Sequence, residues 1–280
     1  MSPDQFQDID YQKDSDGVIT LTLNTPKRKN ALSMLSFLEI YYAIDEYEKD
    51  NSAYAMVITG AVDPDSKDES KEAYSSGGYF SPNALAGVPE KILAEIDTSD
   101  IAQKRMTLKM FKCPKPIIAA INGFAIGGAF TMTFAGADQI YVSEHAWVRL
   151  PFASLGIAAE LASSLLMPRL MGLHQAKEIL FFAEPINAEK LVELKLANKV
   201  LPHADLLPYA KAQARKLCPP EGAALAISEI KKLLNEPLVE AVSDALDREN
   251  AALHKLFTSN DFSEGTAARV ERREAKFTGT

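Results

Sequence analysis

The chain has 280 residues, a formal net charge of −8 and a sequence pI of about 5.2, and 47% of its residues are hydrophobic. This acidic balance argues against nucleic acid as the main partner, because phosphate backbones favour basic surfaces. Length and composition favour a globular protein with one large domain, or one domain with a small appendage.

Predicted strands and helices alternate in the first part of the chain. The period-two run Val18–Leu23 predicts a half-buried strand, and a helical pattern starts near Asn30 and continues through Ile44. Residues 55–60 predict a second strand. The acidic, polar segment 63–72 is interpreted as a solvated loop rather than a functional charge cluster.

A glycine pair follows the strongest strand signal in the chain. The apolar run Ile117–Ile121 predicts a buried strand, and Gly127 and Gly128 open an apolar segment of helical length, residues 129–137. Glycines at a helix N-terminus let a ligand approach the main chain, and unpaired N–H groups point at that ligand together with the positive end of the helix dipole. The segment is therefore a candidate site for an anion, or for an oxygen that develops negative charge.

A second glycine-bearing turn, Tyr74 to Phe80, lies downstream of the predicted strand at 55–60. Two main-chain N–H donors that converge on one carbonyl oxygen would form an oxyanion hole. Each turn taken singly is also consistent with a tight bend or close helix packing.

The rest of the chain changes from mixed to helical character. Short strands are predicted at 139–143 and 147–150, and a helix at 84–112 that is interrupted near 97–100. From Glu160 onward the pattern is helical, with segments at about 161–180, 187–196, 204–217, 221–234, 236–258 and 262–275. Strand–helix alternation in the front half predicts an α/β fold, and we place a domain boundary near residue 200.

Cysteine content and the chain ends bear on compartment. Two cysteines, Cys113 and Cys218, are too few for a disulfide framework and suit a reducing environment. The N-terminal residues are polar and acidic, unlike a signal or transit peptide, and no apolar run approaches the ~20 residues that span a bilayer. The C-terminus has no Ser-Lys-Leu type peroxisomal address. We therefore expect a cytoplasmic protein that does not bind membranes.

The two glycine turns, Ser76 to Phe80 and Asn122 to Ala129, resemble the signature turns of the crotonase superfamily, the enoyl-CoA hydratases and isomerases. Further matches follow the family's order along nearly the whole chain, at 26–32, 136–140, 143–146, 261–265 and 271–277. The resemblance implies a spiral core of repeated ββα turns in residues 1–200 and a helical trimerisation region in residues 201–280. It also implies an acyl-CoA thioester substrate, no cofactor apart from the coenzyme A of that substrate, and a homotrimer or dimer of trimers.

The resemblance assigns site residues by position. The oxyanion hole would be the N–H groups of Gly78 and Gly128; alanine is commoner in the family at the first position, and glycine would hold its N–H less rigidly. The positions that match the substrate and CoA groove are Lys29, Ala31, Ser76, Gly77, Phe80, Gly127, Pro151 and Leu155. Phe257 matches an aromatic residue that a neighbouring subunit lays against the cofactor.

Departures from the family pattern bear on the chemistry. Thr131 and Phe152 occupy the positions of the two hydratase glutamates, and without those carboxylates efficient addition of water is not expected. Glu160 follows a Pro-Phe-x-x-Leu-Gly segment, which resembles the Δ3,Δ2-enoyl-CoA isomerases of the peroxisomal type, whose single glutamate shuttles a proton. Its apolar neighbours would raise its pKa. Glu160 could instead be a first-turn acid that merely favours a helix dipole.

Other functions stay open at this point. Weak hydration, thioester hydrolysis or a carbon–carbon bond reaction could use the same oxyanion hole, and a silent acyl-CoA binder would lack catalysis altogether. The four histidines have no metal-ligand spacing, so no metal site is expected. Several large apolar residues could line an acyl pocket, although core packing is the expected role for most: Phe124, Phe130, Met132, Phe134 and Phe152.

Overall fold

The computed structural model describes residues 1–79 and 84–280. The strands are β1 (Ile9–Lys13), β2 (Val18–Leu23), β3 (Ala55–Gly60), β4 (Ala73–Ser75), β5 (Ile117–Ile121), β6 (Phe124–Ile126), β7 (Gln139–Ser143), β8 (Trp147–Arg149), β9 (Ile186–Asn187) and β10 (Lys199–Leu201). The helices are α1 (Met34–Lys49), α2 (Glu90–Leu93), α3 (Lys104–Lys112), α4 (Gly128–Gly136), α5 (Ser163–Met171), α6 (Leu173–Phe182), α7 (Ala188–Glu193), α8 (His203–Arg215), α9 (Ala224–Asn235), α10 (Val239–Leu256) and α11 (Asn260–Glu271).

The larger sheet has the strand order β1-β2-β3-β5-β7-β10. β1 and β2 form an antiparallel hairpin, and every later neighbour in this sheet is parallel. All residues of β3 and β5 are buried, which explains why these strands are continuous apolar runs rather than alternating ones.

A smaller sheet, with the order β4-β6-β8-β9, lies beside the larger one. Its strands alternate along the chain with those of the larger sheet: β3 is followed by β4, β5 by β6 and then α4, and β7 by β8 and then α5. This is a repeated ββα spiral, so the expected α/β architecture with a helical C-terminal region is confirmed.

Helix α1 begins later than its sequence pattern indicates. Ser33 is the N-cap, because its hydroxyl accepts from the Ser36 N–H, and Asp8 accepts hydrogen bonds from both serine hydroxyls. Asn30 instead adopts a left-handed conformation, and its side-chain amide donates to the carbonyls of Ala61 and Ala73. The residues before Ser33 therefore join the strands rather than the helix.

The helical segment predicted at 84–112 is interrupted where the sequence indicated, near 97–100, but the interruption is longer than predicted. Only α2 and α3 are helical within the described part of this segment. Asp100 ends the interruption, because its carboxylate accepts from the main-chain N–H groups of Lys104 and Arg105 at 2.7 and 3.0 Å. These bonds satisfy two of the N–H groups that have no partner at the start of α3.

The C-terminal helices pack against the core in two places. Helix α8 lies on the larger sheet, and α10 packs on α3 and α5. Helix α11 approaches the segment Ala153–Leu155 closely, with Gly156 and Gly265 at the contact. The division at residue 200 stays a prediction. In the described residues, no helix has both the length and the hydropathy needed to span a membrane.

Candidate active site

The first glycine turn follows β4 and is fixed by main-chain hydrogen bonds on both sides of Gly78. The Leu32 N–H donates to the Gly77 carbonyl, and the Tyr79 N–H donates to the Leu32 carbonyl, each at 2.8 Å. The Gly78 N–H itself has no partner among the described residues. This N–H is therefore held in place and available to a ligand.

Gly77 brings this turn against the second one. Its φ is +85°, and a Cβ there would lie 2.5 Å from the carbonyl oxygen of Ile126, the last residue of β6. Only glycine allows this approach without displacing the main chain. The two turns are consequently neighbours in space although about 50 residues separate them in the sequence.

The second turn ends at the N-terminus of α4. Gly127 has φ +52° and ψ −125°, and its N–H donates to the Arg149 carbonyl at 2.8 Å. The next N–H, that of Gly128, has no partner in residues 1–79 and 84–280. It lies at the positive end of the α4 dipole, where negative charge on a bound oxygen is stabilised.

Both unpartnered N–H groups belong to residues that line one cavity of about 190 Å³. The lining residues are Leu32, Met34, Phe37, Gly78, Tyr79, Thr98, Ile101, Gln103, Gly128, Glu160 and Phe257. Ligand pockets commonly measure about 300–1,000 Å³, so this cavity suits the reacting end of a chain rather than a whole nucleotide-bearing ligand. Its walls are mainly apolar.

Glu160 is the carboxylic acid in this cavity. It lies in the loop before α5, and a Cβ at position 128 would be 2.7 Å from its Oε1. The carboxyl group has no hydrogen-bond partner among the described residues. The structure thus brings Gly78, Gly128 and Glu160 together, with the carboxyl group beside the second N–H donor.

Burial changes the titration of this carboxyl group. Part of the Glu160 surface is accessible through the cavity, but the surrounding protein removes most of the hydration of its charged form. This burial, with a smaller contribution from the negative charge of Glu249, raises the pKa of Glu160 to about 8. A carboxyl group with that pKa takes up and releases protons near neutral pH.

The loop that carries Glu160 adopts an unusual conformation. Leu161 and Ala162 both have left-handed φ angles, +55° and +61°, and such residues cost about 1–2 kcal/mol each when they are not glycine. The Glu160 carbonyl accepts from both the main-chain N–H and the hydroxyl of Ser163. Strain of this kind persists where the surrounding structure holds it in place.

The positions matched to the two hydratase glutamates lie outside the cavity lining. Thr131 is completely buried, and its hydroxyl donates to the Gly127 carbonyl at 3.3 Å. Phe152 is buried in the hydrophobic core. Phe130, Met132 and Phe134 are also core residues, as the sequence indicated, and Phe124 stacks on Trp147.

The other predicted groove residues within the described part of the chain are not among the residues that line the cavity. The Lys29 carbonyl accepts from the Ser76 N–H at 2.9 Å, which joins two of them; Ala31, next to them in sequence, is buried. Pro151 borders Gly127. Leu155 contacts Gly265 of α11 instead. Phe80 lies outside the described residues.

Phe257 lines the cavity from its position at the C-terminal end of α10. Its expected place against the cofactor of a neighbouring subunit stays a prediction. The Phe257 ring stacks on Phe262 at a ring separation of 4.6 Å. The C-terminal helices therefore contribute directly to this chain's own site.

Sequence reasoning missed most of the apolar wall. Leu32 comes from the segment just before α1, Met34 and Phe37 from the start of α1, and Ile101 and Gln103 from the turn before α3. Nothing in their local pattern separates them from ordinary core residues. Only the short distance in sequence between Leu32 and the matched positions Lys29 and Ala31 gave a signal.

Three larger grooves, of about 450, 740 and 420 Å³, lie elsewhere on the described surface. None of them is lined by Gly78, Gly128 or Glu160, so chemistry rather than volume identifies the candidate site. Within residues 1–79 and 84–280, no group of three or more His, Cys, Asp or Glu residues is arranged to hold a metal ion.

Comparison with known proteins agrees with this geometry. The family model described as enoyl-CoA hydratase/isomerase matches residues 13–280. The chain is 28% identical over 262 residues to a short-chain-enoyl-CoA hydratase of Clostridium acetobutylicum, with 92% of each chain covered. It is 26% identical over 274 residues to a trans-2-decenoyl-[acyl-carrier-protein] isomerase of Streptococcus mutans, with 98% of this chain and 99% of the other covered.

A solved structure supports the fold. The crystal structure of an enoyl-CoA hydratase/isomerase from Pseudoalteromonas atlantica has a TM-score of 0.82 and 23% identity to this chain. The match covers 97% of this chain and 100% of the other.

Proposed function

This chain belongs to the enoyl-CoA hydratase/isomerase family of the crotonase superfamily, and we propose that it is a Δ3,Δ2-enoyl-CoA isomerase. Its substrate would be an acyl-CoA thioester with a double bond between C3 and C4. The product would be the conjugated 2-enoyl thioester. Coenzyme A enters as part of the substrate, and the proposed reaction uses no other cofactor and no metal.

One observation carries the proposal: a single carboxyl group, that of Glu160, lies beside the Gly128 N–H in the cavity that Gly78 also lines. A thioester oxygen bound by the two N–H groups would place C2 and the rest of the acyl chain against Glu160. The raised pKa of Glu160, about 8, suits a group that must both accept and return a proton.

The proposed reaction is a proton shuttle. The carboxylate of Glu160 removes a proton from C2, and the electron pair of the C2–H bond delocalises into a dienolate. The N–H groups of Gly78 and Gly128 stabilise the negative charge on the thioester oxygen. The protonated Glu160 then donates the same proton to C4, and the double bond moves from C3–C4 to C2–C3. No water is consumed.

Hydration is the second candidate, because the names of several relatives describe hydratases. In the family pattern, addition of water uses two glutamates that orient and deprotonate it. Here the Thr131 hydroxyl donates a hydrogen bond to the Gly127 carbonyl, and Phe152 is buried in the core. These replacements favour isomerisation over hydration. The position of Glu160 in the cavity likewise disfavours a silent acyl-CoA binder.

The proposed assembly is a homotrimer or a dimer of trimers. Helix α9 exposes a row of large apolar side chains, Leu225, Ile230, Leu233 and Leu234, and α6 exposes Phe181 and Phe182. Exposed apolar surface of this extent is typical of an interface. Light scattering measures the assembly directly. The low cysteine content, which suits a reducing compartment, supports the further proposal of a cytoplasmic location.

Two substrates separate these activities. We expect the protein to convert trans-3-hexenoyl-CoA to the conjugated isomer, measured by the absorbance of the conjugated thioester, and to leave crotonyl-CoA unhydrated. Hydration of crotonyl-CoA without conversion of the 3-enoyl substrate would contradict the proposed isomerase activity and would identify the protein as a hydratase. Binding of both thioesters without turnover of either would favour the silent binder.

A further inference from the structure

A second buried carboxylate lies behind the loop that carries Glu160. Glu249, in the second half of α10, is only 4% exposed. Its Oε2 accepts from the Ala162 N–H at 2.8 Å, and its Oε1 accepts from the Ser164 N–H at 3.0 Å and from the Ser164 hydroxyl. Glu249 therefore accepts hydrogen bonds from the residues on either side of Ser163, the first residue of α5.

These hydrogen bonds fall where the loop is strained. Leu161 and Ala162 are the residues with left-handed φ angles, and they directly follow Glu160. The first N–H groups of a helix have no partner within the helix, and here a side chain from a distant helix takes up two of those around the start of α5. Breaking this contact would let the loop relax toward ordinary backbone angles and move Glu160.

The charge of Glu249 also acts on the cavity. Burial raises the pKa of Glu249, but the hydrogen bonds from Ser164 and Ala162 and the nearby Arg248 oppose that rise and favour its charged form. Its negative charge adds to burial in raising the pKa of Glu160. Tyr79 is the other titratable residue that lines the cavity.

We propose that Glu249 is a positioning residue for the reaction: it clamps the strained turn after Glu160 and places a second carboxylate behind the proton carrier. The inference rests on the proposed role of Glu160 as the base. Of two coupled carboxyl groups, the one with more hydrogen-bond donors ionises first. The proton therefore stays on Glu160, which favours its delivery to C4 over its loss during the lifetime of the dienolate.

The test compares three variants that differ in charge and reach. Glu249→Gln keeps the length and one accepting oxygen but removes the charge. Glu249→Asp keeps the charge but is too short to reach both Ala162 and Ser164. Glu240→Gln, at an exposed position on the same helix, is the matched control. Circular dichroism establishes that each variant folds.

We expect Glu249→Gln to shift the acid limb of kcat/KM against pH to lower pH, because a neighbouring like charge has been removed. Glu249→Asp is expected to keep that midpoint near the wild-type value while kcat falls at unchanged KM. Glu240→Gln should match the wild type. A midpoint that does not move in folded Glu249→Gln, or an unchanged kcat in Glu249→Asp, would overturn the inference.

An infrared titration of the protonated Glu160 carboxyl band, identified by its loss in Glu160→Gln, gives a readout that needs no turnover. If the wild type lacks isomerase activity but this band titrates at lower pH in Glu249→Gln, the proposed function fails and the electrostatic part of the inference stands. If the wild type is an isomerase and the band does not shift, only the inference fails.

Discussion

The two walls of the cavity are held in different ways. Gly78 and Gly128 present main-chain N–H groups, and the turns around them are fixed by 2.8 Å hydrogen bonds and by a close approach of Gly77 to Ile126. Glu160 presents a side chain from a strained loop. The first wall binds charge with groups that cannot titrate, whereas the second wall can gain and lose a proton.

In the proposed reaction, the N–H groups of Gly78 and Gly128 bind the thioester oxygen, whereas Glu160 transfers the proton. Substitutions at Gly78 or Gly128 should displace the thioester oxygen or the groups next to it. Changes to Glu160 should stop proton transfer and leave binding nearly intact. Measurements that separate kcat from KM therefore test the comparison directly.

The largest effect is expected from Glu160→Gln. The amide keeps the shape of the side chain but cannot accept the C2 proton, so isomerase kcat should fall about 10³-fold, within the range of general acid–base catalysis. KM should change little, because the oxyanion donors remain. Steady-state kinetics with trans-3-hexenoyl-CoA measures both constants, and Glu240→Gln is the control. A kcat near that of the wild type would remove Glu160 from the mechanism.

Gly128→Ala should have the next largest effect. The added methyl group would lie 2.7 Å from Oε1 of Glu160 and 3.2 Å from Cδ1 of Leu161, so the carboxyl group must move away from the reacting carbon. A loss of about 10²-fold in kcat/KM is expected, similar to the loss of one oxyanion contact.

Gly172→Ala is the matched control for this substitution. Gly172 has a positive φ, unlike Gly128, and nothing lies within 4 Å of its added Cβ, so this substitution adds a methyl group without a clash. It should lose some stability and little activity. Equal losses of activity in the two variants would mean that the change from glycine to alanine as such, rather than displacement of Glu160, explains the effect of Gly128→Ala.

The smallest expected effect is that of Glu160→Gln on the free energy of unfolding. Because burial raises the pKa of Glu160 to about 8, well above the ~4.3 of an unfolded glutamate, the folded state retains a proton that the unfolded state has released. Stability contributed by this group is therefore lost as pH rises between these values. Glu160→Gln cannot ionise, so it should be more stable than the wild type above pH 8.

Urea unfolding at several pH values measures this difference. The gap between Glu160→Gln and the wild type should widen as pH rises and should shrink at acid pH, where the wild-type carboxyl group is protonated. Glu240→Gln should follow the wild type throughout. A gap that does not depend on pH would contradict the buried, unpaired state of this carboxyl group.

The strength of the local sequence pattern decides which parts of the fold could be predicted. The strands β2, β3, β5 and β7 have the predicted bounds because each is a complete apolar or alternating run. The strands β4, β6, β9 and β10 have two or three residues each, which is too short for a periodic signal. They form because neighbouring strands of the same sheet supply their hydrogen-bond partners.

The residues of the site also differ in whether the sequence could predict them. Gly78, Gly128 and Glu160 lie in recognisable local motifs, so the sequence could place them in one site. Glu249 could not be found in this way, since its partners are about 85 residues away and its own helix has no distinguishing pattern. Phe257 was recognised as an aromatic of the site, but only the packing of α10 assigns it to this chain's own cavity.

Transfer of label from C2 to C4 tests the central claim most directly. A 3-enoyl-CoA deuterated at C2 would be converted in ordinary water, and the earliest product would be analysed by mass spectrometry and NMR. If one enclosed carboxyl group carries the proton, a substantial fraction of the product should have deuterium at C4. Product with no deuterium at C4, even at the earliest times, would contradict a shuttle by Glu160.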